Sequence, residues 1–391
     1  PIDLHPPPAY ERESVGSGED PRHILNLWYR DGDGKPVGNP LRKILADLDR
    51  LPIQDLEDED KFFIEFNKLT EGEPWRSTIK FETLTARGCP YVCSFCIHSK
   101  LVEMHKGLGK AVNGYSVEHA VREVEYARAK LPNMKCLFFA DEVFGVGIEW
   151  VREFEKKWIE RVNLPFECMI EPRALSPQKL RLLKNAGMVE LNIGIQSGSE
   201  KLRAELYDRP MSNKDLLQVV QWAHEAGVSM RYDIICDSPF ESPEDKRATL
   251  DVLLELPRPF ILNMFSLNYF PGAKLTEYAL KIGLVDESQV AGMTDICLEQ
   301  FTVSLDFPRP TDDTFWNALY AMSSKWFIPK AFIRYLAGLS WPKRHPAPVV
   351  VLARFSSMTR LFFDGFRLLW QGRISLDTVR RYSGSISSLA R

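Results

Sequence analysis

Three cysteines fall within eight residues, Cys89, Cys93 and Cys96, inside the stretch Thr85-Ala-Arg-Gly-Cys-Pro-Tyr-Val-Cys-Ser-Phe-Cys-Ile-His98. A C-x3-C-x2-C spacing with an aromatic just before the last cysteine is compact enough to wrap one face of an iron–sulfur cluster, because thiolates are the usual ligands of such clusters. Three ligands on a cubane leave one iron without a protein sulfur. A second cofactor fits that vacancy.

Two other uses of the cysteines compete. Structural zinc needs four ligands, and the fourth would be His98, His105, Cys136, Cys168, Cys236 or Cys297, none of which forms a second close pair. Isolated cysteines, alternatively, behave as small core hydrophobes. A disulfide framework fits worse, since seven cysteines is an odd, low count and no secretory apolar segment opens the chain. A reducing, cytoplasmic compartment is the expectation.

The cysteine stretch resembles the signature of the radical S-adenosylmethionine (radical SAM) enzymes. That resemblance implies a [4Fe-4S] cluster held by Cys89, Cys93 and Cys96, whose free iron chelates S-adenosylmethionine (SAM), and an electron donor such as flavodoxin or ferredoxin. It also implies that Phe95 lies near the adenine and that Gly88 and Pro90 shape the cluster loop.

These residues need a scaffold. An apolar fraction of 45% with 26% charged residues suits a globular chain with a substantial core, and 391 residues allow one barrel-sized domain plus additions. The net charge of −3 gives no reason to expect nucleic acid, and no apolar run is long enough for a membrane span. From residue 77 to 268, short β-rich runs alternate with helical stretches, the pattern of a parallel sheet. The strands expected are Thr78 to Thr85, Cys136 to Ala140, Phe166 to Ile170, Glu190 to Ile195, Met230 to Cys236 and Ile261 to Leu267. Between the first two, Val121, Val124 and Ala127 share one helical face. The fold class is therefore α/β, a partial (β/α)6 TIM-type barrel, whose chemistry belongs at the C-terminal strand ends.

Those strand ends carry further matches to the family. After the second strand, Asp141 and Glu142 resemble the acidic turn that meets the SAM amino group, or else cap the next helix. Glu171 and Arg173 follow the third strand as ligands or as a structural ion pair. The run Gly194-Ile-Gln196-Ser197-Gly198-Ser199 is similar to the family's G-x-[EQ]-S-G-S pattern. It implies that Gln196 reaches SAM polar groups and that Ser197 and Ser199 cap the next helix or bind ligand. Arg209, thirteen residues beyond Gln196, matches an arginine that pairs with the SAM carboxylate, with Arg203 as its competitor. Asp233 is the implied ribose ligand. Asp237 stands where many relatives carry Gly, which puts the loop geometry in question. Ala273, in Pro271-Gly-Ala273, replaces the family's Thr.

The segment Ile24 to Gly34, followed by Leu48 to Pro52, is similar to the linker after a cobalamin-binding domain, and also reads as a simple hairpin with Asp-Gly turns. Cobalamin is thus admitted as a third cofactor, although no D-x-H-x-x-G segment is present and little chain precedes residue 24. Residues 1–75 are read as extension and linker, 76–290 as the barrel, and 291–391 as a helical region with helices over Thr314 to Trp326, Lys330 to Leu339 and Arg354 to Trp370. That region reads as a cap over the barrel mouth. Alternatively Phe362, Phe363, Phe366, Leu369 and Trp370 form a surface for an apolar or lipid-like small-molecule substrate. The expectation is a radical SAM enzyme acting at an unactivated carbon, by C-methylation if cobalamin binds. Rearrangement, cyclisation, oxidation or methylthiolation without it, or a non-catalytic iron–sulfur or zinc module, are the alternatives.

Overall fold

The computed structural model describes residues 20, 22, 24–65, 67–292, 302–305 and 309–370, with the side chains of 65, 292 and 360–370 left aside. Cys297, Phe362, Phe363, Phe366, Leu369 and Trp370, which entered the expectations above, lie outside the described residues or side chains.

Six strands form one parallel sheet whose spatial order follows the chain. They are β1 (Lys80–Thr83), β2 (Cys136–Phe139), β3 (Phe166–Met169), β4 (Met188–Gln196), β5 (Ser229–Cys236) and β6 (Ile261–Ser266). All six expected strands are present, offset by one or two residues at their ends. Parallel neighbours need long crossovers, and helices supply them: α1 (Ile97–Met104), α2 (Val117–Lys130), α3 (Ile148–Arg161), α4 (Pro177–Asn185), α5 (Glu200–Glu205), α6 (Asn213–Glu225) and α7 (Pro243–Glu255), with α8 (Lys274–Lys281) following β6. This is the α/β partial barrel expected.

The alternation along β4 shows how the sheet divides its faces. Leu191, Ile193 and Ile195 are buried, while Asn192, Gly194 and Gln196 between them are only partly so. Successive side chains point to opposite faces, so the apolar set packs under the helices and the polar set occupies the inner face. The main core lies between sheet and helices, where Phe139, Phe144, Phe154, Trp158 and Phe166 pack edge to face or stacked at centroid distances of 4.7–5.9 Å. A second, smaller cluster of Leu202, Tyr207, Ile235, Leu267, Tyr269 and Leu275 sits beneath Phe95.

Two antiparallel hairpins precede the barrel, Trp28–Arg30 with Pro36–Gly38 and Phe62–Glu65 with Lys68–Glu71. In the first, the Asp31 side chain accepts from the Asp33 and Lys35 amides and Gly34 takes φ +78°, so the Asp-Gly turn forms as its residues predict.

The C-terminal helices are α9 (Thr311–Ser323), α10 (Lys330–Gly338), α11 (Ser340–Arg344) and α12 (Ala347–Trp370). Of these, α9 lies along α7. Lys246 at the start of α7 pairs with Asp312 and Asp313, each at 2.7 Å, and Arg258 beyond its end donates to the Lys325 and Ile328 carbonyls. Phe315, Trp316, Leu319 and Met322 join the main core. Burial of that apolar face stabilises on the scale of about 25 cal/mol per Å². No described helix is long and apolar enough to cross a membrane.

Candidate functional site at the carboxyl ends of the strands

The cysteine loop leaves β1 and enters α1 with Cys96 as its N-cap residue. Gly88 takes φ +92°, and a Cβ there would meet the Ala111 carbonyl oxygen at 2.1 Å, so only glycine allows the loop to turn at this point. Ser94 is fixed from both sides: its amide donates to the Tyr207 carbonyl at 3.1 Å, and its own carbonyl accepts from the Leu275 amide at 2.9 Å. Cys93 is buried and Cys89 and Cys96 are partly so. Burial, reinforced by the neighbouring sulfurs, pushes Cys89 up to about 11 and raises Cys96 as well. A bound cationic metal would reverse this and hold the sulfurs as thiolates. Among the described residues no three His, Cys, Asp or Glu side chains are grouped to hold a metal ion. A cubane asks for something else, because each thiolate binds its own iron.

Arg209 reaches this loop and Arg203 does not. The Arg209 Nη1 lies 3.9 Å from Cys93 Sγ, while Nη2 donates to the Gly194 carbonyl at 2.7 Å and stands 3.3 Å from Glu171 Oε1. Arg203 is buried among the carbonyls of Ser197 and Met211 and the side chain of Asn213, which makes it part of the frame. Glu171 also accepts from Arg173 Nε at 2.8 Å, and the Arg173 guanidinium stacks over Tyr91 at 4.3 Å. Burial, followed by the Glu171 carboxylate, drives the Tyr91 phenol up to about 12. Glu171, Arg173 and Arg209 thus form one network with the cysteine loop, more than the simple ion pair weighed above.

The two acidic residues after β2 divide. Asp141 is completely buried: both its oxygens accept from the Thr85 amide, and Oδ1 also accepts from the Thr85 hydroxyl at 2.8 Å. Burial raises it to about 6 against those hydrogen bonds. It ties the end of β1 to the end of β2, and so anchors the cysteine loop without facing an open site. Glu142 keeps 28% of its side chain exposed and pairs with His98 Nε2 at 2.9 Å. Burial opposes its charge, but the hydrogen bond from His98 and its own amide outweigh that, leaving its pKa lowered.

After β4, Gln196 stands at φ +66°, and Gly194 leaves the room it needs, since a Cβ on Gly194 would fall 2.3 Å from Gln196 Nε2. Ser197 is fully buried, in contact with Glu241, Thr249 and the Ser199 amide, so its hydroxyl holds the turn together rather than facing a ligand. Ser199 is the N-cap of α5. Gly198 lies against α7, where a Cβ would meet backbone atoms of Ala248 and Thr249 at 2.4 Å.

Asp233 sits at the middle of a rung across three strands. Its Oδ2 accepts from Asn192 at 3.0 Å and its Oδ1 from Asn263 at 2.8 Å, while burial raises its pKa. The Asn192 side-chain oxygen Oδ1 is buried with no partner, an acceptor available to a donor group on the inner face. Asn192 and Asn263 were not singled out in the sequence, yet each is a polar interruption of an apolar strand. Phe95 meets Tyr207 edge to face at 5.2 Å, over the second apolar cluster. Asp237 takes φ +56°, so the left-handed turn survives the loss of glycine, as Asp tolerates it better than most residues. Ala273 is the N-cap of α8 without a side-chain hydrogen bond, as the missing hydroxyl implies.

A partial barrel with three cysteines and a polar inner face at its strand ends is the arrangement that the radical SAM resemblance implies. Residues 83–253 match the radical SAM superfamily, and the chain carries a radical SAM domain. An uncharacterized methyltransferase of Pyrococcus horikoshii is 23% identical over 276 residues, 70% of this chain and 56% of that protein, so the chain spans little more than half the length of this relative. Among solved structures, the radical SAM methyltransferase TsrM from Kitasatospora setae, with cobalamin and a [4Fe-4S] cluster bound, superposes with a TM-score of 0.50 at 16% identity, covering 88% of this chain and 76% of its own. The cobalamin-dependent radical enzyme OxsB, with aqua-cobalamin and SAM bound, superposes with a TM-score of 0.57 at 13% identity, covering 93% of this chain and 63% of its own. These likenesses establish the fold. The superfamily's cofactors, a [4Fe-4S] cluster and SAM, suit the three sulfurs, the cation beside them and the orphaned acceptor on the inner face.

Proposed function

We propose that this chain binds a [4Fe-4S] cluster through Cys89, Cys93 and Cys96, cleaves SAM reductively there, and starts radical chemistry at an unactivated carbon of a small organic substrate. The contact of Arg209 with Cys93, and its hydrogen bond to the Gly194 carbonyl beside Gln196, carries this reading. When bound, the cluster and SAM supply a 5′-deoxyadenosyl radical or, with cobalamin, a transferable methyl group.

The chain's own residues bind and orient. Arg209, steadied by Glu171, offers its guanidinium to the SAM carboxylate beside Cys93. Glu142, the exposed member of its pair, receives the amino group in place of His98. Gln196 adds polar contacts, and Asp233 with Asn192 Oδ1 accepts from ribose hydroxyls. Phe95 supplies an apolar face to the adenine. The relatives above and the linker-like segment from Ile24 support cobalamin-dependent C-methylation as the particular reaction.

Anaerobic reconstitution tests the reading. Iron is counted, and 5′-deoxyadenosine and methylated product are measured after adding reductant and SAM, with and without cobalamin. Iron with SAM cleavage supports it. Methyl transfer only with cobalamin selects C-methylation, and cleavage without methyl transfer selects rearrangement, cyclisation or oxidation. Zinc without iron, or an intact cluster that leaves SAM whole, would refute it.

A further inference from the structure

Helix α9 is enclosed by protein, since residues 315–320, more than a full turn, are all buried. It packs against α7 and against α10, α11 and α12, which form an outer layer over it. That layer lacks the polar outer face that a surface helix ordinarily presents. On α12, Val349, Val350, Ala353 and Ser356 are buried, and the opposite face carries Val351, Phe355 and Met358, the last two 68% and 71% exposed. Phe332 and Tyr335 stand out from α10, Trp341 from α11, and Trp326, 67% exposed, from the turn before α10.

The charges on the same layer are of one sign. Between Asp313 and Asp364 the sequence has seven Lys and Arg and no Asp or Glu, in a chain of net charge −3. Arg334 adjoins Tyr335, Arg344 closes α11 and Arg354 adjoins Phe355, and all three are exposed. Arg354 also donates to the Leu305 carbonyl. Of the acidic groups on α7 and at the head of α9, Asp251 pairs with Arg247, Asp312 and Asp313 pair with Lys246, and Glu255 acts on Lys330.

Apolar area left in water is costly, like charges repel, and one partner can relieve both. A second copy of this face would set cations against cations. An anionic lipid surface instead takes the apolar side chains beneath its headgroups and the cations among them. Trp and Tyr suit that boundary, and the long stems of Arg334 and Arg354 let their heads reach phosphates from the apolar face. We propose that the outward faces of α10, α11 and α12 dock this protein on an anionic lipid surface, with Trp326, Tyr335, Trp341, Phe355 and Met358 at the boundary. No described helix is long and apolar enough to cross the bilayer, so the docking is peripheral. It does not depend on the chemistry proposed above.

Sedimentation with phospholipid vesicles tests this on the reconstituted full chain, with neither reductant nor SAM. The protein should pellet with vesicles of phosphatidylglycerol in phosphatidylcholine, leave them at high salt, and stay in solution with phosphatidylcholine alone. Arg334→Gln/Arg344→Gln should lower the partition coefficient by about tenfold or more, and Phe355→Ser/Met358→Ser by a similar factor. All four side chains are exposed, so neither variant should shift the melting temperature; should the second fail to fold, the arginine variant decides. Absence of binding to anionic vesicles would overturn the inference and leave the face to an acidic protein. Equal partition of wild type and arginine variant, or equal binding to neutral vesicles, would overturn it too. So would a dimer in analytical ultracentrifugation that Phe355→Ser/Met358→Ser turns into monomer, which would give the face to a second copy.

Discussion

The Arg309 guanidinium donates from Nε to Asp237 Oδ2 at 2.7 Å, joining the C-terminal region to the end of β5. Asn317, on α9, donates to the other Asp237 oxygen at 2.7 Å, and Ser266, at the end of β6, donates to Oδ2 as well. The residue that replaces the family's glycine thus keeps the left-handed turn and uses its carboxylate to clasp α9 and β6. Both partners of the ion pair are largely buried, at 14% and 16% side-chain exposure. Removing Asp237 takes one acceptor from all three donors.

Asp237→Gly should therefore keep the turn and lose the clasp, at a cost of about 1–3 kcal/mol because the hydrogen bonds that Arg309, Asn317 and Ser266 donate to a largely buried carboxylate are lost. Chemical denaturation measures the loss, and hydrogen exchange should show faster opening of Thr311–Ser323 than of the strands. Asp237→Asn, which keeps a hydrogen-bonding group and tolerates the left-handed region, should fall between. Exchange unchanged in the glycine variant would mean the clasp holds nothing.

Glu241 makes stability depend on pH. Burial pushes its carboxyl from 4.5 to about 8, with Lys246 and the Ser197 hydroxyl only partly offsetting this. The native state keeps the proton after the unfolded chain has released it, so the contribution is complete below pH 4.5 and is lost as pH rises to about 8. Across that window, wild type should lose up to about 1.4 kcal/mol per pH unit relative to Glu241→Gln. Parallel curves of unfolding free energy against pH for the two proteins would contradict the assignment.

The two glycines flanking Gln196 should fail differently when replaced by alanine. Gly198→Ala drives a methyl into the α7 backbone and should destabilise the protein by about 1–3 kcal/mol. Gly194→Ala meets the movable end of Gln196, so the fold should survive while SAM affinity falls. Thermal melts and equilibrium SAM binding, run on both variants, separate the two effects. Equal melting temperatures would argue against the close approach at Gly198.

Arginine and cysteine variants check the ligand assignments. Arg209→Lys should keep iron and weaken SAM binding about tenfold, since a lysine cannot reproduce the guanidinium fork. Arg203→Lys should mainly lower the melting temperature. Cys93→Ala should lose iron and SAM cleavage, and Cys297→Ala should retain both. Equal iron in the two cysteine variants would show the wrong sulfurs were assigned.

The strands were legible because each is a short apolar run with turn residues at its ends, and the helix between β1 and β2 because its apolar spacing marks one face. The helices at 311–323 and 330–338 were legible on the same grounds, but their place was not. Periodicity states that Phe315 and Trp316 are buried, and not that α7 buries them. Among the site residues, spacing alone brought the cysteines together, whereas Asp141 and Glu142, adjacent and chemically alike, could not be ranked. Thr85, 56 residues before Asp141, decides between them by saturating one carboxylate.

By itself the sequence determined the local terms: a loop able to offer three sulfurs, six strands, and glycines where the chain must turn. Such features depend on neighbours along the chain, through spacing, propensity and side-chain chemistry. Only the tertiary structure decided that Arg209 rather than Arg203 meets Cys93, that Ser197 is closed off, and that Asp237 grips α9. Those outcomes turn on which polar groups remain exposed after the core is buried. They are set by contacts between strands and helices far apart in sequence, where an unpaired buried group is costly and the available partners settle the arrangement.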